Sequence, residues 1–208
     1  LVALPDAPEQ VRAIVRLCRD YGVPYTARGA GTGQSGGALA AQGGVLVGFS
    51  RMARLLELHP DQRWACVEPG LVNQRLDAAL RPHGLFYAPD PSSRQVCTLG
   101  GNVAENAGGI HGVKYGVTAD HVLGLEVVLP SGELARFGGA APARGAWDWT
   151  RLWVGSEGTL GLVTKIWLRL TPLPRARCVA VGAFDRLEAA AAAVTDTMAA
   201  GIVPAAME

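Results

Sequence analysis

The sequence predicts an α+β fold, on three observations. An amphipathic helical repeat opens the chain, and two pairs of apolar runs joined by turn residues read as β-hairpins. Residues 89 to 116 hold almost no apolar periodicity. With 208 residues, 49% of them hydrophobic, the chain can bury a sizeable core.

The elements follow in order. Asp6-Ala-Pro-Glu9 reads as a capping box with Pro in the first turn. Val11, Ile14, Val15 and Cys18 then recur at helical spacing as far as Gly22. Val23 to Ala27 and Val45 to Phe49 read as strands on either side of a glycine-rich loop. Leu55 to Leu58 and Trp64 to Glu68 form the first hairpin, around Pro60-Asp61. Leu71 to Leu80 is a short helix stopped by Gly84. Val122 to Leu129 and Glu133 to Phe137 make the second hairpin, and Leu160 to Thr171 a long strand ended by Pro172 and Pro174. The pattern then changes. Cys178 to Phe184 is apolar, Asp185 to Glu188 reads as a second capping box opening an Ala-rich helix to about Ala200, and Ile202 begins a further strand. Residues 173–208 are therefore expected to begin a second domain.

Composition excludes several function classes. A net charge of +1 provides no field for nucleic acid. No apolar run approaches the ~20 residues of a membrane helix. Cys18, Cys66, Cys97 and Cys178 fit no zinc or iron–sulfur spacing, and the four histidines form no HxxxH pair, so free thiols and no metal site are expected. The compartment expected is the cytoplasm, with peripheral docking at the inner membrane face left open.

Glycine takes half of residues 28 to 37, RGAGTGQSGG. Gly31 to Gly36 matches GxGxxG, but a nicotinamide Rossmann domain needs a long helix next. Only Ala38 to Gln42 separate Gly36-Gly37 from Gly43-Gly44. A floppy linker would not be flanked by strands. A loop whose backbone amides converge on an anion remains, and each amide bonded to a charged oxygen contributes ~1.5–3 kcal/mol. Leu99 to Gly109 and Gly155 to Val163 repeat the pattern of small residues. Three such segments suit one large ligand with a diphosphate, a ring system and a second base.

These motifs stand in the order of a known family. Residues 28–37, Pro89-Asp-Pro-Ser-Ser93, Thr98 to Gly109, Lys114 to Thr118, Val122 to Val128 and Gly155 to Gly161 resemble the FAD-binding (PCMH-type) domain of the vanillyl-alcohol oxidase / p-cresol methylhydroxylase superfamily. Within it the glycolate oxidase D subunits and FAD-dependent D-lactate dehydrogenases look most similar. The resemblance covers residues 1–172, and Ala205 to Glu208 looks like the entry to that family's cap domain. It implies a small α/β lobe to about residue 58 and a larger antiparallel-sheet lobe with helices over about 59–172, with FAD between them.

Site roles also come from the resemblance. Arg28, Gly29, Ala30, Gly31, Thr32, Gly33 and Gln34 would wrap the diphosphate, with Pro69 and Gly70 nearby. Pro91, Ser92, Ser93, Thr98, Leu99, Gly100, Gly101 and Asn102 would line the flavin and ribityl region. Ala104, Glu105, Gly108 and Gly109 would continue around the cofactor, and Gly158, Gly161 and Val163 would meet the adenosine part. Relatives that tether flavin from the first loop carry a histidine where Thr32 stands, so FAD is expected to be non-covalent. The implied reaction is oxidation of a small 2-hydroxy acid by hydride transfer to flavin N5. Electrons would pass to a quinone, cytochrome or iron–sulfur subunit. Another alcohol as substrate, such as a 2-hydroxyglutarate-type acid or an aldonolactone, and a non-catalytic electron relay stay open. The substrate-binding groups are expected beyond Glu208.

Individual side chains leave alternatives open. Arg28 suits a phosphate or a neighbouring carboxylate. His111 and Lys114 are the weak catalytic candidates: His111 also suits a structural role, and Lys114 a solvated position beside a packed Tyr115. His121 and Asp120 read as a surface pair.

Overall fold

The structure, a computed structural model, describes residues 1–140 and 147–207. Two sheets organise it. β1 (Val2–Ala3), β2 (Tyr25–Arg28) and β3 (Val45–Gly48) form a parallel sheet of order β1-β3-β2. β4 (Leu55–His59), β5 (Trp64–Val67), β7 (Val122–Val128), β8 (Leu134–Gly138) and β9 (Leu162–Arg169) form an antiparallel sheet of order β4-β5-β9-β7-β8. β6 (Leu85–Phe86) pairs with β10 (Thr171–Pro172). The lobe boundary expected near residue 58 falls inside β4, which pairs with β5 in the larger sheet.

The first helix, α1 (Pro8–Asp20), buries Val11, Val15 and Cys18 on one stripe. Its cap differs from the expected box. Ala7 holds the N-cap position with no side-chain bond, and Gln10 Oε1 instead accepts from the Asp6 N–H at 3.0 Å. The stripe packs with Val47, Phe49 and Met52, and with Val128 and Leu162 from the ends of β7 and β9. Arg12 Nε and Arg19 Nη1 donate to the Gly132 and Ser131 carbonyls at 3.2 and 2.6 Å. The small sheet is thus fastened to the large one through apolar contact. The main core lies on the large sheet, where Leu125, Ile166 and Leu168 meet Leu76 and Leu80 of α2 (Asn73–Leu80). Each such side chain contributes about 1.5–3 kcal/mol on burial. Gly84 ends the turn after α2 at φ +68°, as its position suggested.

Two helices lie within the stretch that carried no periodicity: α3 (Leu99–Glu105) and α4 (Gly112–Tyr115). In α3 the weak helix formers Gly100 and Gly101 hide the signal. Thr98 caps the helix by accepting from the Gly101 N–H at 3.3 Å. α5 (Thr118–His121) follows, and it corrects the surface-pair reading of His121. That ring is 5% exposed, its Nε2 lies 2.9 Å from the Tyr115 carbonyl, and it meets Tyr87 edge to face. Burial lowers its pKa. Asp120 turns away, accepting from the Val117 N–H at 2.9 Å and pairing with Arg151 at 3.2 Å.

After a further short helix, α6 (Thr150–Trp153), and β9, the chain leaves the core. Residues 178–184 form no strand, and α7 (Leu187–Ala199) has no buried residue. Arg186, not Asp185, holds its N-cap position, without a side-chain bond. An apolar run becomes a strand only with a partner to pair against, and the described residues offer it none. Ala205 to Met207 is irregular, and Glu208 lies outside the described residues.

Candidate functional site

The glycine loop leaves β2 and runs alongside α3. Gly29 faces the N-terminal end of that helix, where a Cβ on Gly29 would collide with Thr98 Oγ1. Gly33 lies opposite Glu105 at the other end: a Cβ there would sit 2.8 Å from Glu105 Oε1. Ser35 Oγ donates to the same carboxylate at 3.1 Å. Gly31 takes φ +72°, which turns the chain tightly over the Arg28 guanidinium. Among the described residues, none of the backbone N–H groups of residues 29 to 37 donates to an acceptor of the chain.

The third wall comes from the segment before β9. Gly155 N–H donates to the Val103 carbonyl at 2.8 Å and Glu157 N–H to the Ala104 carbonyl at 2.9 Å, locking this segment to the C-terminal half of α3. At the opposite end Gly100 N–H donates to the Pro69 carbonyl at 2.7 Å. A Cβ on Gly100 would lie 2.6 Å from the Pro69 side chain, so only glycine permits the approach. Loop, helix and third segment enclose one cleft of about 1030 Å³, its solvent-open mouth included.

Most of the sequence-predicted residues meet here. From the loop, Arg28, Gly29, Ala30, Gly31, Thr32 and Gly33 line the cleft. Pro69, Ser93, Thr98, Gly100, Gly101 and Asn102 line it around the start of α3. Ala104, Glu105, Gly158, Gly161 and Val163 complete it. Seven do not reach it. Gln34 points away. Gly70 is wedged beneath Phe49 and Met52, donating its N–H to the Met52 carbonyl at 2.7 Å. Leu99 is a core residue, 1% exposed. Pro91 and Ser92 lie in a turn whose Pro91 carbonyl accepts from Arg94 N–H at 2.9 Å. Gly108 packs on Val117, and Gly109 passes too close to the Asp90 carbonyl for any side chain.

The two weak catalytic candidates also lie outside. His111 Nδ1 is 3.2 Å from the Ala88 carbonyl and 3.6 Å from Asp90 Oδ2, and it faces a second, polar cavity with Asp90 and Arg94. Lys114 Nζ sits 5.8 Å over the Tyr115 ring. The second cavity adjoins the cleft across residues 90 to 97, since Ser93 and Cys97 of the same segment face the cleft. Arg28 has no carboxylate partner among the described residues; its Nη1 reaches the Ala38 carbonyl at 3.4 Å.

Phe49, Cys97, Trp153 and Glu157 line the cleft without having been singled out. Glu157 lies inside a segment already marked by its glycines. Phe49 and Trp153 carry no glycine signal and look like core residues in sequence. Burial raises the Cys97 thiol above its ordinary pKa, so it stays protonated at neutral pH. Among the described residues no group of three metal-ligating side chains occurs.

The residues fit a bound dinucleotide. Residues 29 to 33 and 37 line the cleft and their N–H groups find no acceptor in the chain, glycines stand where a Cβ would press on side chains that line it, and the Asn102 Nδ2 and Trp153 Nε1 donors are buried without a partner. The cations are few, as expected where backbone amides rather than side chains meet a diphosphate.

Comparison with known proteins agrees. The sequence profile of the FAD binding domain family matches residues 1–138. The chain is 45% identical over 208 residues to glycolate oxidase subunit GlcD of Escherichia coli (strain K12), covering all of this chain and 42% of that protein. It is 42% identical over 208 residues to GlcD of Bacillus subtilis (strain 168), all of this chain and 44% of that one. A D-lactate dehydrogenase of Anaerostipes hadrus is 35% identical over 201 residues, 96% of this chain and 42% of the relative. A solved structure of alkyldihydroxyacetonephosphate synthase superposes with a TM-score of 0.81 at 24% identity, over 98% of this chain and 40% of that one, which shows the shared fold. The chain thus spans less than half the length of these relatives.

Proposed function

The chain belongs to the FAD binding domain family, its cofactor is FAD, and from that premise we propose that it holds FAD for an enzyme oxidising a D-2-hydroxy acid of the glycolate or D-lactate type. The observation that carries this reading is the set of unpaired amides of residues 29 to 33 and 37, which line one cleft with α3 and the 153–163 segment. Such a set receives a diphosphate without any cationic side chain, and its glycines let the ligand approach the backbone closely.

The chemistry FAD supplies when bound is a two-electron oxidation: the acid gives up its hydroxyl proton and a hydride and leaves as the 2-oxo acid. The chain's own residues bind and orient. The loop amides hold phosphate oxygens, and Thr98 and Asn102 supply hydrogen-bonding groups at the start of α3. Phe49, Leu162 and Trp153 exclude water. Thr32 offers no imidazole for a covalent link, which supports a non-covalent cofactor. Residues 173–208 begin a second domain in this reading, supported by their exposure. Reoxidation falls to a quinone, cytochrome or iron–sulfur partner. No helix among the described residues is long and apolar enough to cross a membrane.

Anaerobic addition of D-lactate or glycolate to the FAD-loaded full-length protein that contains this chain tests the substrate class, because the substrate-binding groups are expected beyond Glu208. Loss of the oxidised-flavin visible band is expected with one of them. A band unchanged by both acids, with FAD still bound, contradicts the assignment.

A further inference from the structure

Nothing in the FAD reading uses the second cavity. It holds about 910 Å³, its open mouth included, and stands apart from the cleft behind residues 90 to 97. That segment is fixed to the start of α2. The Asn73 and Gln74 N–H groups donate to the Cys97 and Arg94 carbonyls, each at 3.1 Å, and Asn73 Nδ2 donates to the Pro89 carbonyl at 3.2 Å. The cavity is therefore formed before any ligand arrives.

Its charges are mixed. Arg81, Arg94 and Arg177 line it, and so do Asp77 and Asp90. Arg81 donates from Nε and Nη2 to Asp77 Oδ2 at 3.2 and 3.0 Å. Arg94 Nη1 lies 3.1 Å from Asp90 Oδ1, and His111 Nδ1 3.6 Å from Asp90 Oδ2. Arg177 arrives from the chain that follows β10 and has no carboxylate partner among the described residues. Each carboxylate is thus matched by a guanidinium, and one guanidinium is left over. Phe86 and Tyr87, both buried, add an apolar wall.

These walls select a ligand. A guanidinium carries five N–H donors in a planar fork that fits a carboxylate, and one Asp partner does not use them all. An Asp carboxylate only accepts, so a ligand beside it needs a donor of its own. A phosphate offers mainly acceptors, and its greater charge is repelled more strongly by Asp77 and Asp90. An amino acid brings a further positive charge to a cavity that already has a surplus. An acid with a hydroxyl group on the adjacent carbon meets each demand: carboxylate on the guanidiniums, hydroxyl on an Asp, carbon on Phe86.

We propose that the second cavity is a separate site for a small 2-hydroxy acid, bound through its carboxylate by Arg94 and Arg177 and through its hydroxyl by Asp90. The assignment goes beyond the FAD reading and does not rest on it.

The experiment titrates the FAD-loaded full-length protein that contains this chain with 2-hydroxyisobutyrate. This acid has no hydrogen on its hydroxyl-bearing carbon, so it cannot give up a hydride. Calorimetry reads all binding, and the visible flavin band reads binding beside the flavin. The expected result is a saturable calorimetric site that leaves the band unchanged. Arg177→Gln should weaken that site at least about tenfold, the share of one charge-assisted hydrogen bond. Since Arg177 pairs with no described carboxylate, the replacement breaks no ion pair of the fold. Arg94→Gln should act likewise, while Arg75→Gln, on α2 but outside the cavity, should stay within about twofold. Isobutyrate, which lacks only the hydroxyl, should bind roughly tenfold more weakly. The assignment is overturned if no such site appears, or if Arg177→Gln leaves its affinity unchanged. It is overturned equally if isobutyrate, 2-aminoisobutyrate or inorganic phosphate binds there as tightly. D-lactate and glycolate that leave the flavin oxidised contradict the substrate reading instead, a separate outcome.

Discussion

Helices α1 and α7 each contain thirteen residues, yet they differ in everything that holds a helix in place. α1 buries Val11, Val15 and Cys18 and is tied to the β7–β8 turn by two arginines. α7 has alanine-rich propensity and no buried residue. An isolated helix of about 12–15 residues is marginal in water. Packing against the sheet therefore stabilises α1, whereas α7 depends on propensity alone. The same contrast divides the chain: residues 1–172 enclose two linked cores and the cleft, while Val179, Val181 and Leu187 stand more than four-fifths exposed.

The sharpest break of this comparison is a core truncation set beside a tail truncation. Leu168→Ala, at a fully buried site, should cost about 2–5 kcal/mol in urea unfolding. Leu187→Ala should stay within about 0.5 kcal/mol. Equal losses would mean that the tail packs on the rest in solution.

Next in size is a pair of glycine substitutions. Gly100→Ala drives a methyl group into Pro69 and should cost about 1–3 kcal/mol, with weaker FAD binding, by thermal melting and titration. Gly112→Ala meets nothing within 4 Å and should be neutral in both assays.

A smaller effect comes from pH. Burial keeps the His121 pKa below its ordinary 6.5, so the unfolded chain binds the proton more readily. The stability this contributes is complete above pH 6.5 and is lost as pH falls toward the folded-state value. Asp120 is shifted down by its bond to the Val117 N–H, and its share is lost only below the ordinary carboxylate value of 3.8. The fall in urea midpoint between pH 7 and pH 5 should therefore shrink in His121→Gln. An unchanged slope would show that His121 is not the group responsible.

Much of the packed region was legible because its signals are local. Amphipathic spacing marks α1, turn residues mark the β4–β5 and β7–β8 hairpins, and Gly84 marks a helix end. The small parallel sheet is less legible, since β1 has only two residues and pairs with a strand more than forty positions away. α3 was hidden because Gly100 and Gly101, weak helix formers, are there for closeness to Pro69 and the cleft. His121 looked like a surface residue because its partner is a carbonyl and its neighbour an aromatic ring, neither of which leaves a sequence pattern. In the site, glycine motifs pointed to most of the cleft. Pro91, Ser92, Gly108 and Gly109 carry the same composition but serve turns and close backbone crossings beside it. Phe49 and Trp153 were missed because a buried aromatic is equally at home in a core.

FAD binding by the chain and by Gly29→Val tests the central claim most directly. A valine there fills the space between the loop and Thr98. The expected result is one FAD per wild-type chain and no FAD on the variant, with the same far-ultraviolet circular dichroism for both. Colourless wild-type protein that takes up no added FAD, or a variant that binds FAD as well as wild type, would contradict the placement of the cofactor along this loop.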